Sequence, residues 1–89
     1  MTWQVKISDK ARKELRKLDP QVQRHIFRYL EERIETDEDP RRFGKELTSD
    51  KSGLWRYRIG DYRIICDIQD AKLVVLVLRA DHRKTVYDD

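Results

Sequence analysis

The segment LWRYRIGDYRII, residues 54–65, sets Arg56, Arg58 and Arg63 within eight positions of one another. A guanidinium is permanently charged and presents N–H donors in a planar fork that grips phosphate oxygens in pairs. Alternation of arginines with rings and aliphatic residues predicts two strands, and Gly60-Asp61 suits the two-residue loop between them. With that loop, Ile59 stands opposite Tyr62, Arg58 opposite Arg63, Tyr57 opposite Ile64 and Arg56 opposite Ile65. Directly opposed residues share a face, and side chains alternate along each strand. One face therefore carries Trp55, Tyr57, Ile59, Tyr62, Ile64 and Cys66, and the other carries all three arginines with Ile65. Like charges directly opposite cost a few tenths to about 1 kcal/mol. A sheet built for stability alone would separate them; Asp61 sits in the turn, and Asp67 further along neutralises one arginine at most. The expectation is an exposed, concave site for a polyanion, against the blander reading of a solvated sheet face whose charges protect an edge.

The ending ADHRKTVY adds His82, Arg83, Lys84 and Tyr87. Arg83 is expected to bring a fourth guanidinium from the adjoining strand end, and Tyr87 a ring able to stack on a base or hydrogen-bond a phosphate. His82 is a titratable group near clustered arginines and a candidate for acid–base work, its alternative being a surface loop histidine. His25 reads as structural. Arg41, Arg42 and Lys45 in a basic connector, together with Lys84, are further candidates for contacts to the polyanion. The sequence holds no Gly-rich phosphate loop, no Cys/His cluster with zinc spacing and no paired carboxylates in the basic segment, so no cofactor or metal is expected. An arginine site would work by holding a phosphate and stabilising charge on its oxygens.

These residues need elements to position them. WQVKIS, residues 3–8, reads as a short edge strand. DKARKELRKL, residues 9–18, places Ala11, Leu15 and Leu18 on one helical stripe. Asp19-Pro20 predicts the start of a second helix, whose stripe is Val22, Ile26, Leu30 and Ile34. Acids at Glu35, Asp37, Glu38 and Asp39 oppose the dipole at its end, and Pro40 stops it. After a basic connector over 40–53, strands are predicted at 54–59, 62–68 and 72–79, with Gln69-Asp70-Ala71 turning the last pair. KLVVLVLRA is apolar enough for a central strand covered on both faces. The order is β-α-α-β-β-β, an α+β fold with a helical hairpin packed on one face of a small, mainly antiparallel sheet.

With 89 residues, 42% charged and 38% hydrophobic, residues 1–89 make one small domain whose few apolar residues must be well placed. Net charge is +3, but residues 31–39 carry six acids and one arginine, while residues 41–63 carry seven bases against three acids. That polarity suggests an anionic partner met in one orientation. Cys66 is alone, which rules out an internal disulfide and reads as a buried thiol. No apolar run approaches the roughly 18 residues of a membrane helix. The expectation is a soluble protein of the cytoplasm with no membrane partner.

The helical hairpin with KELRKLDPQVQRHI, the segment GLWRYRIGDYRIICDI and the ending ADHRKTVY resemble the RelE/ParE superfamily of bacterial toxins, and the RelE branch in particular, over essentially the whole chain. The resemblance implies a RelE-like fold and a ribosome-dependent endoribonuclease that cuts mRNA in the A site of the 30S subunit, against 16S rRNA. It also implies restraint by a cognate RelB-like antitoxin encoded beside it, in a toxin–antitoxin heterotetramer. By motif, Arg56, Arg58, Arg63, Arg83 and Tyr87 would surround the scissile phosphate. Attack of the ribose 2′-hydroxyl would yield a 2′,3′-cyclic phosphate without metal, Arg63 stabilising the phosphorane, Arg83 assisting the leaving 5′-oxygen and Tyr87 orienting the RNA. Arg56 and Arg58 stand where well-known members have lysines. Arginine holds its proton to a pKa above about 12, which leaves His82 as an alternative base, or catalysis mostly electrostatic. Two rival readings are a ParE-like DNA gyrase inhibitor that cuts nothing, and an inactive RNA- or antitoxin-binding module.

Overall fold

The computed structural model of the protein describes residues 2–47 and 53–82. Strand β1 (Gln4–Ile7) runs into helix α1 (Asp9–Arg16), and Ser8 makes the junction. Its Oγ accepts the Ala11 N–H at 3.1 Å, supplying one of the acceptors that a helix start lacks. Helix α2 (Pro20–Tyr29) begins at Pro20, directly after Asp19, as expected from the fixed φ and missing N–H of proline. The apolar stripe continues through Leu30–Ile34, but that turn is wound as a π-helix, with the Glu35 N–H reaching back to the Leu30 carbonyl at 2.9 Å. Ile26, Leu30 and Ile34 are all buried.

The acids that end this helix have a partner the sequence does not reveal. Glu35 Oε2 accepts the Val5 N–H at 3.0 Å, and the Thr36 carbonyl accepts the Trp3 N–H at 2.9 Å. The outer edge of β1 is thereby covered. A 3₁₀ turn at Pro40–Phe43 follows, then the two-residue strand β2 (Lys45–Glu46), inside what the sequence reads only as a connector. Gly44 permits this approach: a Cβ there would lie 3.1 Å from the Tyr57 ring and 3.3 Å from the Arg56 carbonyl oxygen. Strands β3 (Trp55–Ile59) and β4 (Tyr62–Gln69) are joined at Gly60, whose φ is +59°, and β5 (Val74–His82) follows a short 3₁₀ turn at Asp70–Lys72.

The sheet order is β1-β5-β4-β3-β2, with β1 parallel to β5 and the remaining pairs antiparallel. The fold is α+β, with both helices on one face of a five-stranded mixed sheet, and β1 lies at an edge as expected. Tyr57, Ile59, Ile64, Cys66, Val75, Val77 and Ala80 meet Ala11, Leu15, Ile26, Leu30 and Ile34 in the main core. Tyr57 also donates its hydroxyl to the Pro40 carbonyl at 2.6 Å, tying the 3₁₀ turn to the sheet.

Strand β5 departs from the expectation of cover on both faces: Leu76 and Leu78 are only partly buried. It also carries a bulge. Val74–Val77 pair with Gln69–Cys66, Leu78 has no cross-strand partner, and Arg79–His82 pair with Ile65–Tyr62. The extra residue reverses the alternation, so Val75, Val77 and Ala80 face the helices at spacings of two and three.

Candidate functional site

The β3–β4 register is the one the sequence predicts. Trp55 pairs with Cys66, Arg56 with Ile65, Tyr57 with Ile64, Arg58 with Arg63 and Ile59 with Tyr62. Arg56, Arg58 and Arg63 therefore share the face turned away from the helices. Their exposure differs from the expected open concavity. Arg58 is exposed, whereas Arg56 is 7% and Arg63 only 2% exposed.

Two features sink those side chains. The chain after the 3₁₀ turn comes back over this face: Lys45 pairs with Arg56, and Leu47 and Ile65 form a small apolar cluster with Leu54 packed against it. From the other side, the β5 bulge delivers Arg79 opposite Ile65 and Asp81 opposite Arg63. A buried guanidinium stays charged and is tolerated only with opposite charge or acceptors close by. Asp81 supplies a carboxylate in the neighbouring strand position. Arg63 thus has Arg58 on one side and Asp81 on the other.

Arg79 and Asp81 belong to a chain of charge-assisted bonds that sequence reasoning missed. Arg79 Nε donates to Glu14 Oε2 at 3.0 Å and Arg79 Nη2 to Asp81 Oδ2 at 3.2 Å. Glu14 Oε1 accepts the Ala80 N–H at 2.9 Å, capping β5 where it runs past the end of β1. Nothing in strict alternation shows this.

The other candidates fall into four groups. Arg41 and Arg42 are engaged in holding the 3₁₀ turn. Arg41 forms a two-pronged pair with Asp70 at 3.1 and 2.5 Å, contacts Asp39 at 3.3 Å and lies over the Trp55 ring. Its hydrogen bond holds the Asp70 carboxyl below the usual carboxylate range and raises the Arg41 guanidinium in turn. Arg42 pairs with Glu38 at 3.0 Å and lies over Phe43. Lys45 joins the arginine face beside Arg56. His82 pairs with Tyr62 in the ladder, on the parity of Ile64 rather than Arg63, and its ring meets the Tyr62 ring edge-on at 5.3 Å. The register therefore does not bring His82 among the arginines. Arg83, Lys84 and Tyr87 lie outside the described residues.

Two further features lie away from the arginine face. A cleft of about 610 Å³ opens between α2 and the β3–β4 turn, with Arg24, His25, Arg28 and Tyr62 among its lining residues. Cys66 is fully buried, and burial pushes its thiol well above the ordinary range, so it serves packing. Among the described residues no group of His, Cys, Asp and Glu side chains could hold a metal ion, and no helix is long and apolar enough to cross a membrane.

Residues 5–87 match the family model of the ParE toxin of type II toxin–antitoxin systems. Toxin RelG of Mycobacterium tuberculosis is 31% identical over 87 residues, covering 98% of both chains. A chain in the crystal structure of the toxin–antitoxin complex RelBE2 from the same organism superposes with a TM-score of 0.85 at 30% identity, over 93% of this chain and all of that one. A chain of the archaeal RelE–RelB complex of Pyrococcus horikoshii superposes with a TM-score of 0.72 at 29% identity, over 97% of this chain and all of that one.

Proposed function

Because the chain belongs to the RelE/ParE superfamily of type II toxin–antitoxin toxins, matching its family model and a RelE-type relative along nearly its whole length, we propose that it is a ribosome-dependent endoribonuclease that cuts mRNA in the A site. The observation that carries this reading is the arginine face. Arg58 stands directly opposite Arg63, with Arg56 and Lys45 beside them, a cluster of cationic donors whose geometry suits phosphate oxygens. Arg56 and Arg58 grip the RNA backbone. The ribose 2′-hydroxyl attacks the adjacent phosphorus, losing its proton, and the 5′-oxygen leaves and takes up a proton, giving a 2′,3′-cyclic phosphate. Arg63, held nearly immobile by burial, stabilises charge on the phosphorane oxygens without reorganising at the moment of reaction. Arg83 serves the leaving oxygen and Tyr87 orients the RNA. Arg42, Lys84 and the exposed edge of Arg41 add backbone contacts to mRNA and 16S rRNA.

The partner that restrains it is a RelB-like antitoxin, as in the two solved complexes, and the pair assembles as a heterotetramer in the cytoplasm. The name of the matched family model keeps gyrase inhibition as the second reading. Primer extension on programmed ribosomes separates the two. Cuts within the A-site codon support the nuclease; intact mRNA with blocked DNA supercoiling overturns it in favour of the gyrase inhibitor.

A further inference from the structure

Helix α2 carries no acid in its ten residues, PQVQRHIFRY. Gln21, Arg24, His25 and Arg28 follow one another at helical spacing and so share one stripe of it. All four are exposed, and all four line the cleft of about 610 Å³ between this helix and the β3–β4 turn. His25, which the sequence reads as structural, is therefore a surface residue of that cleft. None of the ion pairs among the described residues includes Arg24 or Arg28, and like charges at i and i+4 repel. Val22 and Ile59 supply apolar lining, and the wall contributed by the turn is Gly60, Asp61 and Tyr62.

We propose that this cleft is a second RNA site, taking a nucleotide of the small subunit's ribosomal RNA while the arginine face takes the mRNA. This rests on the nuclease reading above and adds to it a reason for ribosome dependence. Ile59 and Tyr62 turn toward the helices, whereas the adjacent pair, Arg58 and Arg63, turns away. The cleft and the arginine face thus lie back to back across the hairpin tip. A strand seated on the arginines would have to wrap around the turn to enter the cleft, whereas a programmed ribosome presents a second RNA segment. The two walls suit a nucleotide. Arg24 and Arg28, one helical turn apart, can hold phosphate oxygens, with Gln21 and His25 adding donors. Asp61 can accept from a ribose 2′-hydroxyl, and Tyr62 offers a ring to a base. An acidic protein segment fits less well, because its carboxylates would meet Asp61.

Binding to mRNA-free 30S subunits separates docking from cutting. The double variant Arg24→Gln/Arg28→Gln should bind about tenfold more weakly, with the slope of log K against log salt shallower by about two. On programmed ribosomes its KM should rise about tenfold with kcat within about twofold, because the contact is the same in ground and transition states. Asp61→Ala should also weaken 30S binding, about threefold, as expected for one lost hydrogen bond; a contact set by net charge alone would tighten when an acid is removed. These side chains are exposed, so the urea midpoints should match the wild type. Unchanged 30S affinity in the double variant, or tighter binding by Asp61→Ala, overturns the proposal. So does a double variant that loses affinity for a RelB-like antitoxin and none for 30S subunits, which would make the cleft a protein-docking surface. NMR with a short single-stranded RNA oligomer, which a ribosome-dependent nuclease leaves intact, reads the cleft without a ribosome. The α2 amide and His25 ring signals should move in the wild type and stay in the double variant; unmoved wild-type signals overturn the assignment. Should the wild type fail to cut programmed ribosomes, the nuclease reading falls by itself while the RNA titration still decides whether the cleft takes a nucleotide.

Discussion

Arg63 combines a full charge with 2% exposure, so on the proposed mechanism truncating it removes a phosphate donor and a packed side chain together. Arg63→Ala should slow mRNA cleavage at least about a hundredfold, the loss of roughly 3 kcal/mol of barrier stabilisation. It should also cost about 1–3 kcal/mol of folding stability in urea unfolding. The exposed Arg58 should show the first effect and little of the second. An Arg63→Ala protein that cleaves at the wild-type rate would move the chemistry off this face. Cys66 makes a separate prediction. With its thiol pKa pushed up by complete burial, native protein should resist iodoacetamide at pH 8 and react only in denaturant. Alkylation of the native state at the rate of an exposed thiol would mean that the sheet opens beneath α2.

At the scale of elements, specific polar ties hold the junctions. Ser8 caps α1 and also donates to the Leu78 carbonyl at 3.3 Å, joining the helix start to the bulge in β5. Ser8→Ala should cost about 1 kcal/mol, read from the urea midpoint, with a rate loss as well if the bulge shifts. The Arg41–Asp70 pair ties the 3₁₀ turn at Pro40–Phe43 to the turn before β5. Asp70 has its folded pKa depressed, chiefly by the Arg41 hydrogen bond. Its contribution to stability is therefore fully present above the unfolded value of about 3.9 and is lost as pH falls through the folded value. Asp70→Asn should remove that part of the acid-side decline while leaving the rest. If wild type and Asp70→Asn lose stability identically from pH 5 to pH 2, the tie contributes nothing.

For the molecule as a whole, charge is segregated. Acids cluster at the end of the second helical segment, where Glu35 covers the β1 edge, and bases run from Arg41 through the hairpin. A RelB-like antitoxin with an acidic segment should be steered to the basic face. Its association rate should fall about tenfold or more between low and physiological salt, while dissociation changes far less. Stopped-flow mixing checks this, and an association rate indifferent to ionic strength would remove the electrostatic part of antitoxin recognition.

The sequence alone determined whatever depends on local period and local chemistry. Pro20 after Asp19 set the start of α2, the stripe from Val22 to Ile34 set its buried face, and Gly60-Asp61 with strict alternation placed Arg58 opposite Arg63. A two-residue loop leaves a hairpin one register, so three arginines on one face were legible before any coordinates. Tertiary structure decided what long-range contacts decide. Residue pairs as distant as Glu14 and Ala80 have no spacing signature. A bulge at Leu78 is one unpaired residue in an apolar run, and it reversed the parity of everything after it. That reversal sent His82 to the Tyr62 side and brought Asp81 to Arg63. The burial of Arg56 and Arg63 likewise came from the chain folding back through β2 and Leu47. Side-chain exposure belongs to the packed whole, because a charge is buried by what lies over it and not by its neighbours in sequence.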